Sequence, residues 1–542
     1  MRLSSSLAIV AVLAATPALA VPAGLSARAN ALLANEVGAE NPGVAAVISD
    51  NGKVVWKGAA GRATVDGKTA LRPDSLFRYA SVSKQFTAAL ILRLVDEGRL
   101  SLDDNLGKLL AAETPAAWHA VTVRQLLNHT SGVPSYTSKP GWMVEANTAR
   151  AYTTQGLIDV TRDQPLDFAP GTQFRYNNSG YVLLSAIAEK LTGKPWYVAL
   201  RERITGPLGL TSIRCGCEPG PATVDGFTAG GAASQRIDMS VPSGAGALVG
   251  NAGDLAKWAA ALHGGRILSP ASYRAMITPQ LPAGETARYG FGIGLGEVRG
   301  EPTIGHNGGI YGFQTETIYL PGRKLFVAVL GNSDSGPVDS GILARRLAAE
   351  AIGAPLPVMK AQASDLNALT PYLGIYRDSQ GERRFLVRDG KLFTQRAGSG
   401  VNEVFAAGGN RYFYGPRSLS YFELSKGPDG TPRMTFYANG ALKPDVATWS
   451  GPVPKDIALS PAQMDRLAGT YARGPAVMTI ARSAAGLTAQ LTGQTPFAIE
   501  ATGPLEFQVP AVKALLTFEE ADGKIVRVVL SQAGRTIPFE RN

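Results

Sequence analysis

"FRYASVSKQFTAAL", Phe77 to Leu90, sets a serine and a lysine three residues apart where irregular chain becomes helix. Spacing gives the helix. Phe86, Leu90 and Leu94 fall four apart on one face, and the pattern from Ser83 to Glu97 stops at Gly98, a suitable residue just past a helix end. Ser81-x-x-Lys84 at such a start has two readings. Serine is a common N-cap and lysine a common surface residue, so the pair can be ordinary helix grammar. Alternatively, side chains three apart share one helix face, where the N-terminus adds partial positive charge and free N–H groups. A serine hydroxyl turns nucleophilic when a base takes its proton, and a desolvated lysine of lowered pKa can be that base. The rest of the chain has to decide.

Composition narrows the class. The 542 residues are 45% hydrophobic and 18% charged, ordinary globular material, with a formal net charge of +10 spread without any long basic run. No nucleic-acid motif accompanies that charge, so nucleic acid is not an expected partner. A mildly basic surface suits anionic envelope polymers or lipid head groups, and it also serves solubility. Residues 1–20 read as a cleavable signal peptide: Arg2, the apolar run Leu7–Ala15, and a cut after Ala20 in Ala18-Leu19-Ala20. That run is shorter than the roughly 20 apolar residues a bilayer span needs. A periplasmic or secreted protein without stable membrane insertion is expected, with about 520 residues left for two to four domains.

The two cysteines, Cys215 and Cys217, stand one residue apart. An oxidising compartment permits a bridge, free thiols are the alternative, and metal binding is the weakest option. His119, His129, His263 and His306 are too scattered for metal-ligand spacing. No metal and no cofactor is expected.

Strands are expected at Gly43–Gly61, joined at Asn51-Gly52, and at Tyr289–Leu295, Gln314–Pro321 and Lys324–Asn332. Helices are expected at Thr122–Val133, Ser179–Gly193, Gly253–Gly265 and Ile342–Gly353. Strands at both ends with helices between them imply an antiparallel sheet carrying a helical insertion. Beyond the connector Gly353–Val358, helical periods almost vanish. "RRFLVRDGKLFTQ" (Arg383–Gln395) alternates around an Asp-Gly turn. "LTPYLGIYRD" (Leu369–Asp378) and "MDRLAGTYAR" (Met464–Arg473) share a Gly-x-Tyr core with a leucine just before it, and each copy ends strand-turn-strand. Two small antiparallel barrels of roughly 85–90 residues fit that spacing.

Two further stretches bear on Ser81. In "FRYNNSGY", Tyr176-Asn177-Asn178 precedes the Ser179 helix, where it can deliver a phenol and an amide to a cleft or cap the helix with asparagine. In "IGHNGGIYGF" (Ile304–Phe313), His306-x-Gly308 on an edge strand would aim an imidazole at the same cleft, or mark a turn. The glycines allow close approach of a substrate. The N–H of Gly309, paired with that of Ser81, would form an oxyanion hole.

In this order the three motifs resemble those of the penicillin-recognising serine hydrolases: β-lactamases, DD-peptidases, D-aminopeptidases and related esterases. Tyr176-Asn177-Asn178 looks like the Tyr-x-Asn of class C enzymes, and His306-Asn307-Gly308 takes the Lys-Thr-Gly place. "VTVRQLLNHTSGVPSY" (Val121–Tyr136) and "GALVGNAGDLAKWAAAL" (Gly246–Leu262) are also similar to stretches of this family. The resemblance spans roughly residues 30–350.

The resemblance implies an α+β fold. A β-lactamase-like domain, antiparallel sheet flanked by helices plus an all-helical lobe, would occupy 21–356. Two lipocalin-like β-barrels would follow at 357–455 and 456–542. Ser81 would be acylated, Lys84 and Tyr176 would share the proton work, and Asn178 would hold the acyl side. His306 would line the pocket and assist proton transfer, with Gly308 and Gly309 at the oxyanion. Lys84 and Tyr176 both remain candidates for the base. Histidine in the Lys-Thr-Gly place weakens a carboxylate anchor, which disfavours an efficient β-lactamase. Together with the two barrels it resembles D-aminopeptidases, in which the last barrel helps close the active site. Substrates would be small peptides, amides or esters. The other readings are an esterase, a DD-peptidase or weak β-lactamase, and a ligand- or wall-binding protein on an inactive hydrolase fold. The sequence leaves oligomeric state open, a homodimer being one option.

Overall fold

The computed structural model describes residues 21–542 except 337, 380, 389, 397–399, 454–458, 484–485, 513 and 533–534. The signal segment 1–20, Asp389 of the expected Asp-Gly turn and the expected 455/456 boundary lie outside the described residues. The chain forms two compact units that meet in sequence at Leu356 and Pro357. No helix among the described residues is long and apolar enough to cross a membrane.

The first unit is built on a six-stranded antiparallel sheet. Its strands are β1 (Val44–Asp50), β2 (Lys53–Ala60), β6 (Gly294–Val298), β7 (Glu301–Ile310), β8 (Phe313–Leu320) and β9 (Leu325–Gly331), in the order β2-β1-β9-β8-β7-β6. Asn51 and Gly52 both have positive φ, as a two-residue hairpin turn requires. Every residue of β9 is buried, which is why it reads as an unbroken apolar run rather than alternating. Short strands β3 (Phe77–Arg78), β4 (Arg214–Cys215) and β5 (Leu248–Gly250) form a second sheet in the order β3-β5-β4, and β3 leads directly into Ser81.

The Ser83–Asp96 helix buries every residue from Ser83 to Leu92, not the single face its spacing suggests. Its polar side chains tolerate this because each has a partner. Gln85 donates to Thr317 Oγ1 at 3.1 Å, Thr87 to Gly244 O at 2.7 Å, and Ser83 Oγ accepts from Leu248 N–H at 3.1 Å. Phe86 stacks on Trp258 of the Ala252–His263 helix with ring centroids 3.8 Å apart. Helix Asn178–Thr192 ends at Gly193 in the left-handed conformation. The expected Thr122–Val133 helix is only Val123–Leu127, started by a Thr122/Gln125 capping box, and the chain leaves it through His129 at φ 63°. Cys215 and Cys217 form a disulfide.

The second unit contains two closed barrels of eight antiparallel strands, spanning Gly374–Gly451 and Gly469–Arg541. Each has its own apolar core. The repeated tyrosines are equivalent: buried Tyr376 donates to Tyr372 O at 2.6 Å and buried Tyr471 to Leu467 O at 2.7 Å. The sequence repeat therefore marks a structural one. The architecture is as expected: a unit with an antiparallel sheet and helices, followed by two antiparallel barrels.

Candidate active site

Ser81 lies in a single 3-10 turn, Ala80–Val82, immediately before the Ser83–Asp96 helix. Ala80 has φ 48°, a region non-glycine residues seldom occupy. Such strain is common where a side chain must be aimed. Lys84 is fully buried, and its Nζ lies 3.2 Å from Ser81 Oγ, 2.8 Å from Asn178 Oδ1 and 2.8 Å from Ala245 O. It also sits 4.8 Å from the Tyr176 ring centroid. Burial drives its pKa well below that of an ordinary lysine. A neutral amine has two hydrogens and one lone pair. The Asn178 and Ala245 oxygens can only accept, so they take the hydrogens and the lone pair faces the Ser81 hydroxyl. This arrangement suits removal of the serine proton.

Asn177 and Asn178 divide the two readings of their motif. Asn177 is the N-cap, its Oδ1 accepting from Gly180 N–H at 2.8 Å, while Asn178 turns to Lys84 and donates to Thr137 Oγ1 at 3.0 Å. Tyr176 is 39% exposed, yet crowding by protein raises its phenol well above 10, and a hydrogen bond with Ser81 lowers it in part. The phenol is therefore a proton carrier in its neutral form.

β6 pairs with β7 only from Glu301 to Gly305, so the His306–Ile310 half of β7 has one free edge. The strand is an edge at the site, although β6 is the outer strand of the sheet. The Tyr311-Gly312 turn makes Ile310 and Phe313 a hydrogen-bonded pair, so the alternation of an antiparallel ladder turns the Gly309 N–H away from β8. Gly308 packs so tightly that an added Cβ would lie 2.4 Å from Tyr79 O and 3.1 Å from Ser81 N. Gly309 has open space around it. A first-turn N–H such as that of Ser81 has no helical partner, and with Gly309 N–H it can face an oxyanion.

His306 is 6% exposed. Its Nδ1 is 2.5 Å from Asn307 O, which can only accept, so Nδ1 carries the proton and Nε2 accepts from the Tyr289 hydroxyl at 2.8 Å. Burial, with Lys84 nearby, pushes its pKa down to about 3. No hydrogen bond joins His306 to Ser81 or Lys84 among the described residues. It reaches the site through Tyr176, whose ring centroid is 6.1 Å away.

Two supports had no signal of their own in sequence. Tyr289 sits inside the expected Tyr289–Leu295 strand, but the chain there is irregular and β6 starts at Gly294. His129 flanks Tyr176 on both sides: its carbonyl accepts from Arg175 N–H at 3.0 Å and its Nδ1 from Asn177 N–H at 3.2 Å. Its ring centroid is 4.4 Å from that of Tyr176.

Ser81, Asn178 and Gly309 line a cleft of about 410 Å³, with Met143, Ile237, Val241, Ile310, Tyr311 and Phe313 among its apolar walls. The chain belongs to the Beta-lactamase family, whose model matches residues 29–352. It is a serine hydrolase of that fold. Penicillin-binding protein 4* of Bacillus subtilis is 28% identical over 436 residues, 74% of this chain and 94% of that protein. A D-aminopeptidase of Brucella anthropi is 28% identical over 351 residues, covering 62% of this chain and 64% of the relative's length. Among solved structures, a D-stereospecific amidohydrolase from Streptomyces sp. has a TM-score of 0.51 at 28% identity, covering 61% of this chain and 98% of that one.

Proposed function

We propose that the protein is an exported aminopeptidase releasing N-terminal D-amino acids from small peptides or amides through an acyl-serine intermediate. The observation that carries the hydrolytic step is the position of Lys84 Nζ, 3.2 Å from Ser81 Oγ and 2.8 Å from the Asn178 and Ala245 oxygens, so that the neutral amine would give its hydrogens to those two acceptors and its lone pair to Ser81. In this reading Lys84 takes the Ser81 proton as Oγ bonds to the substrate carbonyl carbon. The N–H groups of Ser81 and Gly309 hold the oxyanion. Tyr176 hands its proton to the leaving nitrogen as the C–N bond breaks and regains one from the Lys84 ammonium beside it. The neutral Lys84 then takes a proton from the water whose oxygen bonds to the acyl carbon, and that proton returns to Ser81 Oγ as the ester bond breaks. The raised phenol supports Lys84, not Tyr176, as the base. His306 is neutral, so it braces Tyr176 through Tyr289 without a fixed charge for a substrate carboxylate. Preference for D-residues is supported by the D-aminopeptidase and D-stereospecific amidohydrolase relatives. The Leu7–Ala15 run and Ala18-Leu19-Ala20 support export into a periplasm or medium.

The test is p-nitroaniline release from D-alanine and L-alanine p-nitroanilides, with Ser81→Ala as blank. D-selective release lost in the variant is expected. No release from either substrate, with Ser81 still labelled by a serine reagent, would contradict the aminopeptidase reading. An esterase, the second reading, is favoured by the apolar cleft walls and would then remain.

A further inference from the structure

Among the described residues lining the Ser81 cleft, one carries a charge: Asp334. It follows β9, and its backbone is fixed on both sides. Its N–H donates to Phe227 O at 3.0 Å, and its carbonyl accepts from Gln314 Nε2 at 2.6 Å. The carboxylate accepts from Ser335 Oγ at 2.8 Å and, more weakly, from Gly312 N–H at 3.3 Å. It forms no ion pair among the described residues. Arg78, which lies over the Phe313 ring at 5.2 Å, is influenced by Asp238 instead. A carboxylate that lines an apolar-walled cleft with acceptor capacity to spare and no cation beside it is placed to receive a positively charged group of a ligand.

We propose that Asp334 binds the free α-ammonium group of the substrate, so that the cleft selects amino acid derivatives with an unblocked amine and an apolar side chain. This rests on the hydrolase reading above and names what its substrate must carry. The cleft wall supplies contact for the side chain, Ser81 meets the carbonyl, and Asp334 supplies the charge that recognises the amine.

The experiment compares matched substrates with and without the amine. D-phenylalanine and 3-phenylpropanoic acid are each offered as p-nitroanilide and as methyl ester to wild type, Asp334→Asn and Asp334→Glu. The readout is the ratio of kcat/KM for the amine-bearing over the des-amino substrate. Wild type is expected to favour the amine. Asp334→Asn keeps an acceptor for Gly312 or Ser335 and should lower the ratio by about tenfold or more, as loss of one partner of a desolvated charge pair does. Asp334→Glu should recover part of it. An equal ratio in wild type and Asp334→Asn would overturn the proposal, as would a wild type indifferent to the amine. Because the ratio is taken within each protein, a poorly folded variant does not imitate the effect. Cleavage of esters but not anilides, with the amine preference intact and Asp334-dependent, would sink the aminopeptidase reading and leave this one standing. Cleavage of D-anilides with a ratio insensitive to Asp334 would do the reverse.

Discussion

His129 illustrates how a residue outside the three motifs sets the geometry of one inside them. It grips the chain just before and just after Tyr176, through its carbonyl and its Nδ1, while holding a left-handed φ of 63°. Because Nδ1 accepts, the ring proton is on Nε2, which is buried without a hydrogen-bond partner among the described residues. Burial, and then Lys84, hold its pKa well below 6.5, so the accepting form persists at neutral pH. His129→Ala removes the acceptor and should lower kcat by about 10–100-fold, the cost of misplacing a catalytic group by roughly an ångström. His129→Asn should recover part of the loss, since asparagine tolerates the left-handed region and offers an amide oxygen. Steady-state kinetics of both variants provide the check. Full activity in a folded His129→Ala protein would remove the clamp from the account.

At the scale of elements, a half-buried histidine between helix and sheet couples the fold to pH. His263, at the end of the Ala252–His263 helix, stacks on Tyr319 of β8 at 3.8 Å, and burial pushes its pKa down to about 3. Between about pH 6.5 and 3 the unfolded chain takes up a proton at this residue and the folded one does not. The histidine therefore costs nothing at neutral pH, and stability falls as pH drops through that window. His263→Phe keeps an aromatic ring for the stack and removes the titration. Thermal melts should show a smaller loss between pH 7 and pH 5 in the variant, a difference on the order of 1 kcal/mol after allowing for partial exposure. An equal loss in both proteins would contradict it. Local signals in the sequence served these elements unequally. Asn51-Gly52, Gly98 and Gly193 marked turns and helix ends because positive φ is a property of one or two residues. The Tyr289–Leu295 stretch alternates like a strand, but Gly290 and Gly292 exist for close packing: a Cβ would lie 2.0 Å from Met276 O and 2.5 Å from Lys84 O. That reason is tertiary and invisible locally. For the same reason Ser81, Lys84, Tyr176, Asn178 and His306 were legible as motif residues, whereas Ala245 O, Tyr289, His129 and Asp334 reach the site only through chain distant in sequence.

Taken as a whole, the chain joins a hydrolase unit with its own core to a unit of two barrels, each with its own core. The buried tyrosine of each barrel closes onto a carbonyl four residues earlier, which is what the repeated Gly-x-Tyr encodes. All the groups assigned to bond breaking lie in the first unit, and the claim on which the account depends is that Lys84 activates Ser81 there. The most direct measurement is the rate at which a fluorophosphonate labels the full chain, followed by peptide mass spectrometry, in wild type, Ser81→Ala and Lys84→Ala. Wild type should gain one adduct, on the peptide containing Ser81. Ser81→Ala should gain none, and Lys84→Ala should react at least about 100-fold more slowly, as loss of a general base predicts. Labelling at another residue, or a rate at Ser81 indifferent to Lys84, would contradict the account.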